Sequence, residues 1–125
     1  MAKIKGLAKG TLSEAPGSPG ITRHLPFRGE GFMVVCSRVD PGVVSGWHHH
    51  GDYDIYGYLV SGAARFENGP GGRHAISVGP GDFFYVPART VHRDVNPSGT
   101  EGQEVILFLR GRGPMVLNVE GPDPA

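Results

Sequence analysis

The sequence predicts an all-β domain, an antiparallel barrel or sandwich, and three observations carry that expectation. Gly and Pro are numerous, 21 and 11, together 32 of the 125 residues, and they fall between short apolar runs as turns fall between strands. Those runs recur about every 8 to 12 residues, the spacing of strands in sandwiches and barrels. No stretch shows the 3.6-residue periodicity of an amphipathic helix. A chain of this length builds one domain.

Taken in order, residues 1–30 carry Lys3, Lys5 and Lys9 and then Glu14-Ala-Pro-Gly-Ser-Pro-Gly20, with no sustained periodicity. This reads as an extended arm, able to pair at a sheet edge. From Gly31 the chain breaks into strand-sized pieces: 32–39, 43–50, 54–60, 63–68, 73–78, 82–86, 91–95, 104–109 and 115–119. Pro41-Gly42, Ser61-Gly62, the run from Asn68 to Gly72, Gly79-Pro80-Gly81 and Pro97-Ser98-Gly99 separate them, because these residues set turn dihedrals and interrupt ladders. Residues 31–120 are therefore the expected barrel domain and 121–125 a C-terminal tail.

Twelve Lys plus Arg balance twelve Asp plus Glu, so no long-range field draws in nucleic acid or an anionic membrane. The longest purely apolar run, Val105 to Leu109, is far below the roughly 20 residues that span a bilayer. Nothing near Met1 resembles the apolar region of a signal peptide. A cytoplasmic protein is expected. Its single cysteine, Cys36, fits a reducing compartment and reads as a small core residue.

The histidines hold the chemical information. Three of the six are consecutive, in Trp47-His48-His49-His50-Gly51-Asp52-Tyr53-Asp54. In a strand His48 and His50 share one face, about 7 Å apart, and His49 takes the other. Two imidazoles on one strand can converge on one ion, but a site needs a ligand from elsewhere. His92, opening a later strand after Val86-Pro87-Ala88-Arg89-Thr90, is the natural candidate. Neutral imidazole suits Fe, Mn, Ni, Co, Cu and Zn alike. His24 and His74 read as surface residues.

Gly42, His48, His50 and Gly62, followed by Gly81, Pro87, His92 and Asn96, resemble the paired motifs of the cupin superfamily over about residues 42–96. The resemblance implies a single-domain cupin-type antiparallel β-barrel, a jelly roll, whose mouth holds one divalent transition metal on His48, His50 and His92. Two departures stand out. Arg89 replaces the inner glycine of the second motif, and the glutamate of the first is missing: counting back from Gly62 puts Ile55 there, while Asp54 suits a shorter spacing. Asp54 as fourth ligand and a three-histidine site completed by water are both open. Asp82 and Asp94 are candidates to orient ligand imidazoles. Arg65 and Arg93 are candidate anion anchors, and Met33, Trp47, Tyr56, Tyr58, Phe83, Tyr85 and Phe108 candidate wall residues.

The expected function is a metal-dependent enzyme, a mononuclear non-haem dioxygenase or related lyase acting on a small oxygen-rich or aromatic molecule. A non-catalytic ligand-binding or sensing module and a metal-independent sugar isomerase or epimerase are the alternatives, since one fold hosts many chemistries. A homodimer is expected, twofold pairing being the commonest assembly.

Overall fold

Among residues 2–124, which the computed structural model describes, eleven strands account for nearly all regular structure. They are β1 (Glu14–Ser18), β2 (Ile21–Gly29), β3 (Phe32–Val39), β4 (His48–His49), β5 (Asp54–Ser61), β6 (Ala64–Asn68), β7 (His74–Val78), β8 (Phe83–Val86), β9 (His92–Val95), β10 (Gln103–Arg110) and β11 (Leu117–Asn118). All pairings are antiparallel. One sheet has six strands in the order β1-β2-β3-β10-β5-β8, and the second has five in the order β11-β4-β9-β6-β7. This is the jelly-roll arrangement expected of the sequence.

The strands from Phe32 onward lie where the turn residues put them, with two reductions: of the expected strand 115–119 only Leu117 and Asn118 pair, and the expected strand 43–50 is shortened too. Of the expected strand 43–50, only His48 and His49 join a ladder, while Val44 makes a single bridge to Val95. The larger difference is at the amino terminus. Residues 14–29, read as an extended arm able to pair at a sheet edge, do pair there but as two regular strands, with β2 running along β3 from Ile21↔Val39 to Gly29↔Phe32. Pro16 and Pro26 hid them, since proline removes a ladder donor. Both sit where the register shifts, between Ala15 and Ser18 and between His24 and Phe27, so each bulge absorbs its proline.

Strict alternation sorts side chains inward and outward. In β3 the inward residues are Met33, Val35, Ser37 and Val39, and in β5 they are Ile55, Gly57 and Leu59. Leu59 is fully buried beside Ala64, Phe84 and Val105, and the Phe66 and Phe84 rings of opposite sheets meet at 4.5 Å between centroids. A second cluster joins Met33, Val35, Tyr53, Ile55 and Leu109. Each such aliphatic side chain stabilises the fold by about 1.5–3 kcal/mol on burial.

The same alternation corrects the candidate wall. Met33 is buried inside, but Tyr56, Phe83, Tyr85 and Phe108 are exposed on the outer face of the six-stranded sheet, where register makes a row Phe27–Val34–Phe108–Tyr56–Tyr85. Tyr58 lies on that outer face too, its ring 4.9 Å from Phe83, and Trp47 lies under the Arg93 guanidinium at 4.7 Å. Cys36 is also off the core, half-buried between His24 and Ile106, and burial, followed by the Glu104 charge, pushes its thiol up.

Gly62 turns β5 into β6 with φ of +84°, and a Cβ there would lie 2.5 Å from the Gly102 carbonyl oxygen. Both the left-handed backbone and the backbone clash penalise a side chain. Gly62→Ala is expected to lose about 1–3 kcal/mol, read as a lower denaturant midpoint with unchanged slope.

Candidate metal centre

Strand pairing brings the two histidine segments together. His48 on β4 is the direct Cα partner of His92 on β9. His50, two residues past His48, returns to the same side. The three ring centroids lie 5.0 Å (His48–His50), 4.5 Å (His48–His92) and 5.0 Å (His50–His92) apart. One donor nitrogen from each ring lies within 4.8 Å of the other two. His49 points elsewhere, its Nδ1 accepting from the Gly51 amide at 3.0 Å.

The hydrogen bonds behind the rings decide which nitrogen faces inward. Nδ1 of His48 donates to the Gly46 carbonyl, that of His50 to the Met115 carbonyl and that of His92 to the Thr90 carbonyl, each at 2.8 Å. A carbonyl oxygen can only accept, so each Nδ1 carries the hydrogen and each neutral ring is left with its lone pair on Nε2. This is the outer support that orients metal-binding imidazoles. His48 Nε2 is buried with no hydrogen-bond partner, an omission that a bound cation would repair.

Electrostatics favours neutral rings at two of the three positions. Burial, then the neighbouring His92, pushes His50 down to about 4, and burial likewise lowers His48. At His92 burial opposes the charge as well, but the adjacent Asp94 carboxylate outweighs it and raises the value. Asp94 itself is held well below the usual carboxylate range: burial works against this, and the adjoining histidines prevail.

Of the four residues expected to bind metal, the structure gathers His48, His50 and His92 and leaves Asp54 out. The Asp54 carboxylate accepts from the Tyr85 hydroxyl at 2.8 Å and the Ala88 amide at 3.0 Å, on the outer side of β5. Those two bonds keep it ionised. The reason is a lost parity. Gly51 takes φ of +56° and the Tyr53 amide closes a turn on the His50 carbonyl at 3.0 Å, so alternation does not run from His50 into β5. Ile55 faces inward instead, 2% exposed.

Other candidates also changed partners. Arg65 and Arg93 are not free anchors, because both bind Glu67, at 2.9 and 2.6 Å. Asp82 is a turn residue, accepting from the Gly79 amide. Arg89, in place of a family glycine, adopts φ of +58° and so holds a left-handed conformation that costs a side chain roughly 1–2 kcal/mol. Its guanidinium pairs with Asp52.

Sequence reasoning missed Arg23. It lay in the supposed arm, whereas on β2 it alternates inward with Ile21 and Leu25 and is only 8% exposed. Burial lowers its pKa and the Asp94 charge raises it. Its Nη1 donates to the Pro16 carbonyl at 3.3 Å and to the Ser18 hydroxyl at 3.4 Å, both long. Arg23, His50, His92, Asp94, Ile55 and Phe84 line an internal cavity of about 40 Å³, room for a few waters. Arg23 also borders a groove of about 260 Å³ formed with Pro16, Ser18, Met115 and Asn118. A larger groove of about 700 Å³, between residues 13–16 and 111–115, contains none of the three histidines.

Residues 35–108, which span His48, His50 and His92, match the model of the cupin domain. The chain belongs to the cupin family. Solved structures share the fold across nearly its whole length. KdgF from Halomonas sp. is 28% identical, with a TM-score of 0.70 over 85% of this chain and 94% of its own. The polyketide cyclase RemF from Streptomyces resistomycificus is 19% identical, with a TM-score of 0.76 over 94% of this cupin and 86% of the cyclase. Oxalate decarboxylase from Bacillus subtilis is 18% identical, TM-score 0.73, over 95% of this cupin and 33% of that larger chain. No curated protein matches by sequence.

Proposed function

We propose that this cupin is a metal-dependent enzyme, a mononuclear non-haem dioxygenase or a related lyase, acting on a small oxygen-rich or aromatic anion. The observation that supports this most is the group of three imidazoles, each tied back through Nδ1 so that Nε2 faces its neighbours. That donor set fits one divalent transition metal: neutral nitrogen donors, a buried Nε2 without a partner, and fewer protein ligands than such ions accept. A metal held there supplies a Lewis acid that polarises a substrate oxygen.

The chain's own residues do the rest. Arg23 places a permanent cation on the same cavity as His50 and His92, and a guanidinium matches a carboxylate or enolate with two parallel hydrogen bonds. Ile55, Phe84 and Val86 line the cavity with apolar surface and limit water. The cavity's size means that only the reacting end of a substrate enters, with the remainder in the groove beyond Arg23. The oxalate decarboxylase of similar fold acts on a small acid of this type, so oxalate and related carboxylic acids, followed by catechols, are the first compounds to assay.

Elemental analysis of purified protein, together with turnover of that panel with and without dioxygen, tests the reading. Stoichiometric metal and metal-dependent turnover are expected; protein that retains no metal after loading contradicts it. Arg23→Met is expected to raise KM for the anionic substrate by about 10- to 100-fold, the worth of a hydrogen bond to a charged group, with metal content unchanged. Arg23→Lys, which keeps charge without the fork, should fall between.

A further inference from the structure

We propose that Asp94 is the carboxylate ligand of this metal centre, supplied from β9 in place of the glutamate that the family pattern puts on β5. The proposal rests on the reading that the three histidines hold a metal and adds the fourth protein donor.

The position that should carry the glutamate has none to give. Ile55 stands there, buried in the core, and the neighbouring Asp54 is turned outward onto Tyr85 and Ala88. Asp94 follows His92 by two residues on the same strand, so both side chains leave β9 on the same face. Its two oxygens divide between two of the ligands: Oδ1 is 3.4 Å from His92 Nε2, and Oδ2 is 3.5 Å from His48 Nε2.

Those two separations decide between a hydrogen bond and a shared ion. Hydrogen bonds between nitrogen and a carboxylate run about 2.7–3.2 Å, and charge-assisted ones are shorter still. Donors held about 2.1 Å from a common transition metal lie roughly 3.0 Å apart at octahedral angles and about 3.4 Å apart at tetrahedral ones. At 3.4 and 3.5 Å the Asp94 contacts are longer than that range and close to the tetrahedral separation. One of them reaches His48 Nε2, the buried ring nitrogen with no hydrogen-bond partner. Arg23 and Asp94 line the same cavity, which gives the carboxylate a neighbouring positive charge.

Titration of the full-length protein with Co(II), followed by visible absorption and by competition with a chelator, tests this. Asp94→Asn and Asp94→Ala are expected to weaken Co(II) binding at least about 100-fold, beyond the loss seen for supporting residues, and to shift the ligand-field bands. Asp54→Asn should change neither. A measurement on the unaltered sequence guards against variants that fail to fold: with carboxyl-¹³C aspartate, Zn(II) should shift an aspartate carboxylate stretch in the infrared difference spectrum. Wild-type affinity and spectrum in both Asp94 variants would overturn the proposal while leaving the histidine site intact. So would weaker binding with unshifted cobalt bands and no aspartate infrared band, which makes Asp94 a neighbour that orients the rings. If the wild type takes up no Co(II), the three-histidine reading itself fails.

Discussion

His92→Ala is expected to abolish metal retention, taking the protein from stoichiometric metal to a trace and removing metal-dependent turnover with it. The size of the effect follows from geometry. His92 is the pairing partner of His48 and brings the second chain segment to the site, so its loss leaves only two of the three imidazoles that gather there. Removing mere supporting groups costs metal affinity about 10- to 100-fold, and losing a donor costs more. The fold should survive, because His92 is hydrogen-bonded only through Nδ1 to Thr90 and lies outside both apolar clusters. Elemental analysis beside a circular dichroism spectrum checks both halves. A variant that kept its metal and its turnover would remove His92 from the site.

Asn96→Ala is expected to have the largest effect on stability while leaving the histidines in place. Asn96 is 1% exposed, and its amide group donates to the carbonyls of Val39 at 3.2 Å, Asp40 at 3.2 Å and Glu101 at 2.9 Å, while its oxygen accepts from the Ser98 amide at 3.0 Å. One side chain thus joins the end of β3 to the turn that leads into β10. Alanine leaves several buried backbone groups without partners, each costing about 1–3 kcal/mol. A net loss of roughly 3 kcal/mol, or about 10 °C in Tm, is expected, measured by urea unfolding and by thermal melting. Metal bound per folded chain should not change. Asn96, read from its motif spacing, is a structural clamp.

The strand pieces from Phe32 to Asn118 were legible because turn chemistry is local. Gly and Pro impose their dihedrals whatever surrounds them, so Pro41-Gly42, Ser61-Gly62 and Gly79-Pro80-Gly81 marked their turns reliably. The same local signal concealed β1 and β2, where Pro16 and Pro26 sit inside strands at bulges. Concealing β2 concealed Arg23. A basic residue in an arm reads as solvated, and only pairing with β3 turns it toward the cavity.

The candidate site divides in the same way. His48, His50 and His92 could be named from alternation and motif spacing, since the first two share one strand and the third follows a recognisable turn. The choice of carboxylate could not. From His50 to Asp54 the face of each residue depends on the turn at Gly51, and one left-handed residue there reverses which side chains point inward. From His92 to Asp94 the strand is unbroken, but nothing in the local pattern says that the face holding Asp94 also holds His48, 46 positions earlier in the chain.

By itself, then, the order of amino acids determined the all-β class, most strand limits and three imidazoles able to meet, because each depends on dihedral preference or two-residue periodicity within a short segment. Only the tertiary structure decided that Ile55 and not Asp54 faces the interior, that Arg23 is a buried cation, and that Asp94 stands against two ring nitrogens. These depend on how strands distant in sequence register across a sheet. That register is set by the burial of the whole apolar face at once, which no short window of residues contains.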